Sequence, residues 1–283
     1  MATRPTARGF GCLVVALVLL VIGVFAVLRD QGLTAPVPGQ QRCVATANGR
    51  SVVLDLEQAR LTSIIVGLSV RGGLAPRAAS IAMATVYQET GIRNLDYGDR
   101  DSVGLFQQRP SQGWGTVEQL QDPYYATRKF YEALVKVRGW ETGDINDVAQ
   151  RVQRSGHPEA YRDHEADGRV LASVFTGSSP GGLTCLERAN RAGDADGLVT
   201  ALQRSLGNVD HTVDGATVTL DSARQRLAWA YAHHAVANAA RFGVTAVTVG
   251  NRSWQADGTT LPSWQAAAAP VASDRVTITL RAG

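Results

Sequence analysis

Lysine is almost missing from this chain of 283 residues: Lys129 and Lys136 are the only two, so the 28 basic side chains set against 25 acidic ones are nearly all arginine. No dense basic block occurs, which removes the electrostatic footprint of a nucleic-acid binder; no nucleic acid is expected among the partners. Cysteine is scarce as well, at three residues. His157, Asp163, His164 and Glu165 cluster without zinc-type spacing, and the adjacent His233 and His234 face different directions on a helix, so neither a metal nor another cofactor is expected. No internal repeat is visible. What is present is ordinary: 45% hydrophobic and 19% charged residues belong to a folded chain, long enough for two modest domains.

Charge is also absent from Phe10 to Leu28, a run preceded by Arg4 and Arg8 and closed by Arg29-Asp30. Its length is close to the ~20 apolar residues of a bilayer-crossing helix. A cleaved signal peptide has a shorter apolar core and a small-x-small site, and the region of Ala35-Pro36 offers no clear one. The expectation is therefore an uncleaved anchor through residues 10–28 of a single-pass membrane protein. The two leading arginines place the N-terminus in the cytoplasm and the rest outside. Cys12 lies at the start of the apolar run, where lipidation is not expected. Cys43 and Cys185 then fall on the oxidising side, either as a disulfide or as two independent buried thiols. A bridge closing so long a loop is worth roughly 4–5 kcal/mol in the chain-entropy picture.

The pattern divides the chain into a tail and anchor (1–30), a Pro- and Gly-containing linker (31–41), a mainly α domain (42–187) and a small α/β accessory domain (188–283). In the third part, Asp55 caps a helix running to about Arg71, and Pro76 opens a second that Gly91 stops just after Glu89. Polar, Gly-rich sequence follows from Ile92 to Trp114. Helical patterns return at about Asp122 to Val137, Asp144 to Ser155 and Glu159 to Thr176. The fourth part reads as a short helix (Leu198 to Leu206), a hairpin turning at Asp214-Gly215, a long helix (Asp221 to Phe242) and strands at Val244 to Val249 and Val276 to Leu280.

Breaking a glycan by general acid catalysis needs a carboxyl group sheltered against apolar surface at the edge of a cleft. Glu89 ends an apolar helix and faces a polar loop, although a solvated surface glutamate is the plain alternative. The segment Tyr87-Gln88-Glu89-Thr90-Gly91-Ile92-Arg93-Asn94, with Asp101-Ser102-Val103-Gly104-Leu105-Phe106-Gln107-Gln108 after it, resembles the paired signature of the lysozyme superfamily, especially soluble lytic transglycosylases and goose-type lysozymes. Asp122-Pro123-Tyr124-Tyr125, Phe130-Tyr131, Ala149-Gln150, Ser155 and Tyr161 continue the resemblance in order, across most of Cys43 to Cys185.

That resemblance implies a lysozyme-like domain with peptidoglycan as partner and Glu89 as the acid. It implies that Gln107 hydrogen-bonds an acetamido sugar, that Gly104 lets backbone approach the saccharide, and that Tyr161 orients a ring. An ordinary loop amide and a packing aromatic are the alternatives for Gln107 and Tyr161. Trp114 is a sugar platform or plain core. Ser102 stands where hen-type lysozymes carry a second carboxylate, and Asp99 and Asp101 nearby are either helpers or local backbone caps. The expectation shifts accordingly to lytic transglycosylation, in which the muramic acid 6-hydroxyl attacks and Glu89 serves as acid and then base. Muramidase hydrolysis and a non-catalytic peptidoglycan-binding or scaffold protein stand as alternatives. The region of Gly243-Val244-Thr245 and Gly250-Asn251-Arg252-Ser253-Trp254 resembles small domains beside wall hydrolases of actinobacteria, which implies an accessory role with a cell-wall protein as candidate partner.

Overall fold

Two strands precede the first helix. Arg42–Ala47 (β1) and Arg50–Leu54 (β2) pair antiparallel across Asn48-Gly49, whose φ values of 52° and 76° are those of the tight two-residue turn that Asn-Gly favours. On its other edge β1 takes Leu183–Leu186 (β3), also antiparallel, with Cys43 directly opposite Cys185. The two cysteines form a disulfide. The computed structural model describes residues 40–155 and 159–282.

Leu56–Arg71 (α1) starts at a capping box in which Asp55 and Gln58 each accept from the other's backbone at 2.8 Å. Pro76–Thr90 (α2) opens on its proline and stops at Gly91, φ 60°, whose N–H reaches Tyr87 O at 3.0 Å. Every residue of α2 from Ala78 to Val86 is buried, so this helix runs through the core instead of lying on it. Val117–Gln121 (α3) packs on Pro123–Leu134 (α4), and α4, Ile145–Gln153 (α5) and Glu165–Phe175 (α6) pack around α2, with α6 the nearest neighbour. The close approach of α6 depends on Gly168, since a Cβ there would lie 2.7 Å from Ser80 O.

The chain continues through Ala195–Leu206 (α7), the hairpin Asp210–Asp214 (β4) and Thr217–Asp221 (β5), Gln225–Ala237 (α8), Ala239–Phe242 (α9), Val244–Val249 (β6), Arg252–Gln255 (β7), Gln265–Ala266 (β8) and Arg275–Leu280 (β9). The six strands make one antiparallel sheet, ordered β4-β5-β9-β6-β7-β8. Helix α8 is buried from Ala228 to Ala237, with the large sheet on one side and α1 and α6 on the other. Polar contacts cross the same boundary: His233 Nδ1 is 2.7 Å from Val174 O, Asn238 donates to Ser63 Oγ at 3.1 Å, and Trp264 Nε1 donates to Leu183 O at 2.8 Å. Residues 41–283 form one compact unit.

This corrects the expected fold class, a mainly α lysozyme-like domain set after a transmembrane helix and followed by a small α/β domain. The described residues hold nine α-helices and two antiparallel sheets, and buried side chains from Cys43 to Leu280 belong to one hydrophobic cluster. The alternation in Arg42 to Leu54 and the four residues of β3 are short signals beside the long helical ones, and what stabilises them is pairing between residues far apart in sequence. No helix among the described residues is long and apolar enough to cross a membrane, and the span expected at residues 10–28 lies outside the described residues.

Two measurements probe this core. Burial holds both imidazoles of His233 and His234 down at about 4, against an ordinary value near 6.5. A group that stays neutral when folded but charges when unfolded stabilises the fold fully above the unfolded pKa, and that contribution is lost as the pH falls from about 6.5 towards 4. Unfolding free energy from urea titrations should drop by roughly 2–4 kcal/mol between about pH 7.5 and pH 5. Neither imidazole should titrate by NMR in the folded protein above about pH 5. Separately, replacing Cys43 and Cys185 together by Ala should lower the unfolding free energy by roughly 2–5 kcal/mol.

Candidate functional site

The last turn of α2 is fastened on three sides. Thr90 Oγ1 lies 3.0 Å from Leu105 O and receives the Arg93 N–H at 3.2 Å, while Gln58 of α1 donates to Gly91 O at 2.8 Å. The loop after this turn closes on itself, because Val103 and Gln108 exchange backbone hydrogen bonds of 3.1 Å. Gly104, at φ 77°, donates to Leu95 O at 2.7 Å, and a Cβ on it would come within 2.4 Å of Leu120 O. Its glycine is thus required by crowding from the protein itself. Phe106 anchors the loop from below, fully buried and stacked on Phe130 of α4 at 4.5 Å.

Above this base lies a groove of about 610 Å³, lined by Glu89, Asp99, Ser102, Gln107, Trp114 and Gln153 among others. Glu89 is half-buried there. Its Oε1 accepts the Tyr161 hydroxyl at 2.7 Å and the Gln153 side-chain amide at 3.1 Å, and the same amide donates to Phe106 O at 2.8 Å. Tyr161 is completely buried and is held by the bond from its own N–H to Asn146 Oδ1, 3.2 Å. Burial first, and then the charge and hydrogen bond of Glu89, push the Tyr161 phenol upward, so it stays protonated and donates. Oε2 of Glu89 has no protein partner among the described residues.

The other residues singled out in the sequence separate into distinct positions. Ser102 is buried in the groove wall. Asp101 is committed to the rim: the Ser111 N–H at 2.8 Å and the Arg109 guanidinium at 2.7 Å hold its carboxyl far below the usual carboxylate range. Asp99 does line the groove, with its side chain 90% exposed and only Arg100 nearby at 3.8 Å. Gln107 braces the loop, its amide nitrogen donating to Tyr97 O at 3.2 Å and Gly104 O at 3.3 Å. Trp114 is half-buried, with part of its ring against the core and part on the groove. Gln153 is absent from the residues that the sequence singles out. Its one signal there is the helical period, since it lies one turn beyond Ala149 on the same helix.

Backbone conformation marks the same place. Five non-glycine residues have positive φ among those described: Asn48, Ile92, Arg100, Gln107 and Arg154. Three of them line the groove, and Ile92 follows Glu89 by three residues. Left-handed backbone costs such residues roughly 1–3 kcal/mol each and persists where the surroundings impose it, commonly at functional sites. No protein-family model matches this chain, and no curated protein matches it. Any functional reading therefore rests on these side chains. Among the described residues no three His, Cys, Asp or Glu side chains are grouped to hold a metal ion, and His157 lies outside those residues.

Two glycines allow the loop packing to be tested. Gly91→Ala meets nothing within 4 Å and bears only the backbone cost of a positive φ, about 1 kcal/mol. Gly104→Ala adds the collision with Leu120 O, and should lower the unfolding free energy by at least ~1 kcal/mol more than Gly91→Ala in parallel denaturant titrations.

Proposed function

We propose that this protein cleaves the glycan strand of bacterial peptidoglycan by lytic transglycosylation, with Glu89 alone as acid and then base. The observation that carries the reading is the asymmetry of the Glu89 carboxyl group. Tyr161 and Gln153 both donate to Oε1, which fixes the side chain and makes Oε2 the oxygen that carries the proton towards the groove. Asp101 is engaged by Arg109 and Ser111, and Asp99 stands in solvent, so among the described residues lining the groove no sheltered second carboxylate accompanies Glu89. Single-carboxylate chemistry is what this set supports. The resemblance of Tyr87 to Asn94 and Asp101 to Gln108 to lytic transglycosylases and goose-type lysozymes supports it too.

In this scheme Oε2–H protonates the oxygen that links C1 of N-acetylmuramic acid to C4 of N-acetylglucosamine, and the C1–O bond breaks. The 6-hydroxyl oxygen of the same muramic acid bonds to C1 and its proton passes to the Glu89 carboxylate, which restores the acid and leaves a 1,6-anhydro end. Such a substrate places the protein on the outer side of the cell membrane, where the Cys43–Cys185 bridge would persist. The region after residue 187 then acts as an accessory to wall binding, with a cell-wall protein as its candidate partner.

A second reading comes from the same hydrogen bonds. Held by Tyr161 and Gln153, the Glu89 side chain can also serve as a fixed acceptor for a sugar hydroxyl in a cleft that binds glycan without turnover. Digestion of purified peptidoglycan by the full chain, followed by mass spectrometry, separates the readings. Anhydro-muropeptides are expected, and Glu89→Gln should reduce their formation by about 10²–10⁴-fold. Reducing-end products lost on Asp99→Asn would mean hydrolysis, and binding without products would mean a scaffold.

A further inference from the structure

The groove over Glu89 continues. Gln112, Trp114, Gln153 and Arg154 line it and also line a second concavity of about 690 Å³ between α4 and α5, so Trp114 stands on the threshold between the two. The second half is basic. Lys129, Lys136, Arg151 and Arg154 face it against a single carboxylate, Glu132, which is taken by Lys129 at 3.0 Å. Both lysines of the whole chain are here.

The remaining three cations are uncompensated. Lys136 and Arg154 have no ion pair among the described residues, and the Arg151 guanidinium donates only to backbone carbonyls, Asp147 O at 3.3 Å and Arg138 O at 3.1 Å. Neutral acceptors orient a guanidinium without cancelling its charge. Elsewhere Arg50, Arg60, Arg93, Arg109, Arg162 and Arg275 each meet a carboxylate, while Arg71, Arg77, Arg188 and Arg252 donate to backbone carbonyls as Arg151 does; what sets the groove apart is that three such cations line one concavity. Like charges gathered without partners along a concave surface repel one another, and they create a positive potential that an anionic ligand relieves.

We propose that this basic half-groove binds carboxylate groups carried by the muramic acid residues of the strand, either the lactyl carboxylate or those of an attached peptide, through Lys136, Arg151 and Arg154. The inference rests on the glycan-strand reading of the groove over Glu89, because the shared wall makes one strand occupy both halves. It adds a charge requirement to that reading. Exposed cations of this kind discriminate by a modest factor that weakens with ionic strength.

The test uses the full chain carrying Glu89→Gln, so that substrate survives and binding is read without turnover. Three oligosaccharides of equal length are titrated: a peptidoglycan chain with its peptides, the same chain stripped of peptides but keeping lactyl carboxylates, and a neutral chito-oligosaccharide. At low salt the better anionic chain should bind roughly five- to tenfold tighter than the neutral one, with the ratio shrinking at high salt. Adding Lys136→Glu and Arg151→Glu should bring the ratio to about one, and Lys136→Arg should preserve it, with melting temperature confirming folding in each case. Equal preference for both anionic chains assigns the lactyl carboxylate, and preference for the peptide-bearing chain alone assigns the peptide. Binding of all three with equal affinity, or a ratio unmoved by charge reversal, overturns the proposal and leaves the glycan reading standing. If no chain binds at all, both fall.

Discussion

The pairing of β1 with β3, locked by Cys43–Cys185, is the constraint on which the rest of the structure depends. The bridge closes a segment of 142 residues, and every residue of both halves of the groove lies inside it. Closing so long a loop costs chain entropy, which the crosslink removes from the folding transition by restricting the unfolded chain. The same short sheet joins the remainder of the molecule, since β3 receives Trp264 on Leu183 O and Trp254 on the Thr184 hydroxyl at 3.1 Å. Site and scaffold are therefore coupled through a few strand residues.

Within that frame the position of Glu89 is set by burial. Helix α2 cannot rotate without exposing apolar surface, because its whole middle is inside, and Gly91 ends it abruptly while Thr90 and Gln58 tie down the start of the loop. The polar side chains of that middle, Ser80 and Thr85, return their hydroxyls to Pro76 O and Ile81 O of the same helix, whereas the carboxyl group of Glu89 stands in the final turn, at the edge of the core. The donors that meet Glu89 come from other elements: Gln153 from the end of α5, and Tyr161 from the turn before α6. The Gln153 amide bridges Glu89 and the Phe106 carbonyl, so the carboxylate and the loop beneath it are fixed by one side chain.

Much of this is legible in residues and spacing. Asp55, Pro76 and Gly91 mark helix ends by local chemistry, and local chemistry is what sequence displays. Asn48-Gly49 is an equally strong local signal for a hairpin, yet its strands are short and are outweighed by the long helical runs beside them. Gln107 lines the groove and Gly104 is buried in the same loop; the resemblance implies saccharide contacts for both, and the structure adds protein contacts, Gly104 with Leu120 and Gln107 with Tyr97 and Gly98. Such contacts join residues 9 to 16 positions apart around an irregular loop, which no periodicity encodes. The union of both halves of the chain in one core is hidden for the same reason: α8 is rich in apolar residues from Leu227 to Ala237, which favours burial without saying by what.

Putting both lysines on one wall has a chemical corollary. Apart from the terminal amine, Lys129 and Lys136 carry the only alkylamines of the chain, and α4 and the turn after it present them two helical turns apart. An amine-directed acylating reagent therefore behaves on this protein almost as a site-specific one. A fluorophore, a crosslinker or a resin coupled through lysine would attach beside Trp114 and nowhere else along the folded surface, turning a compositional oddity into a reporter for whatever enters that groove.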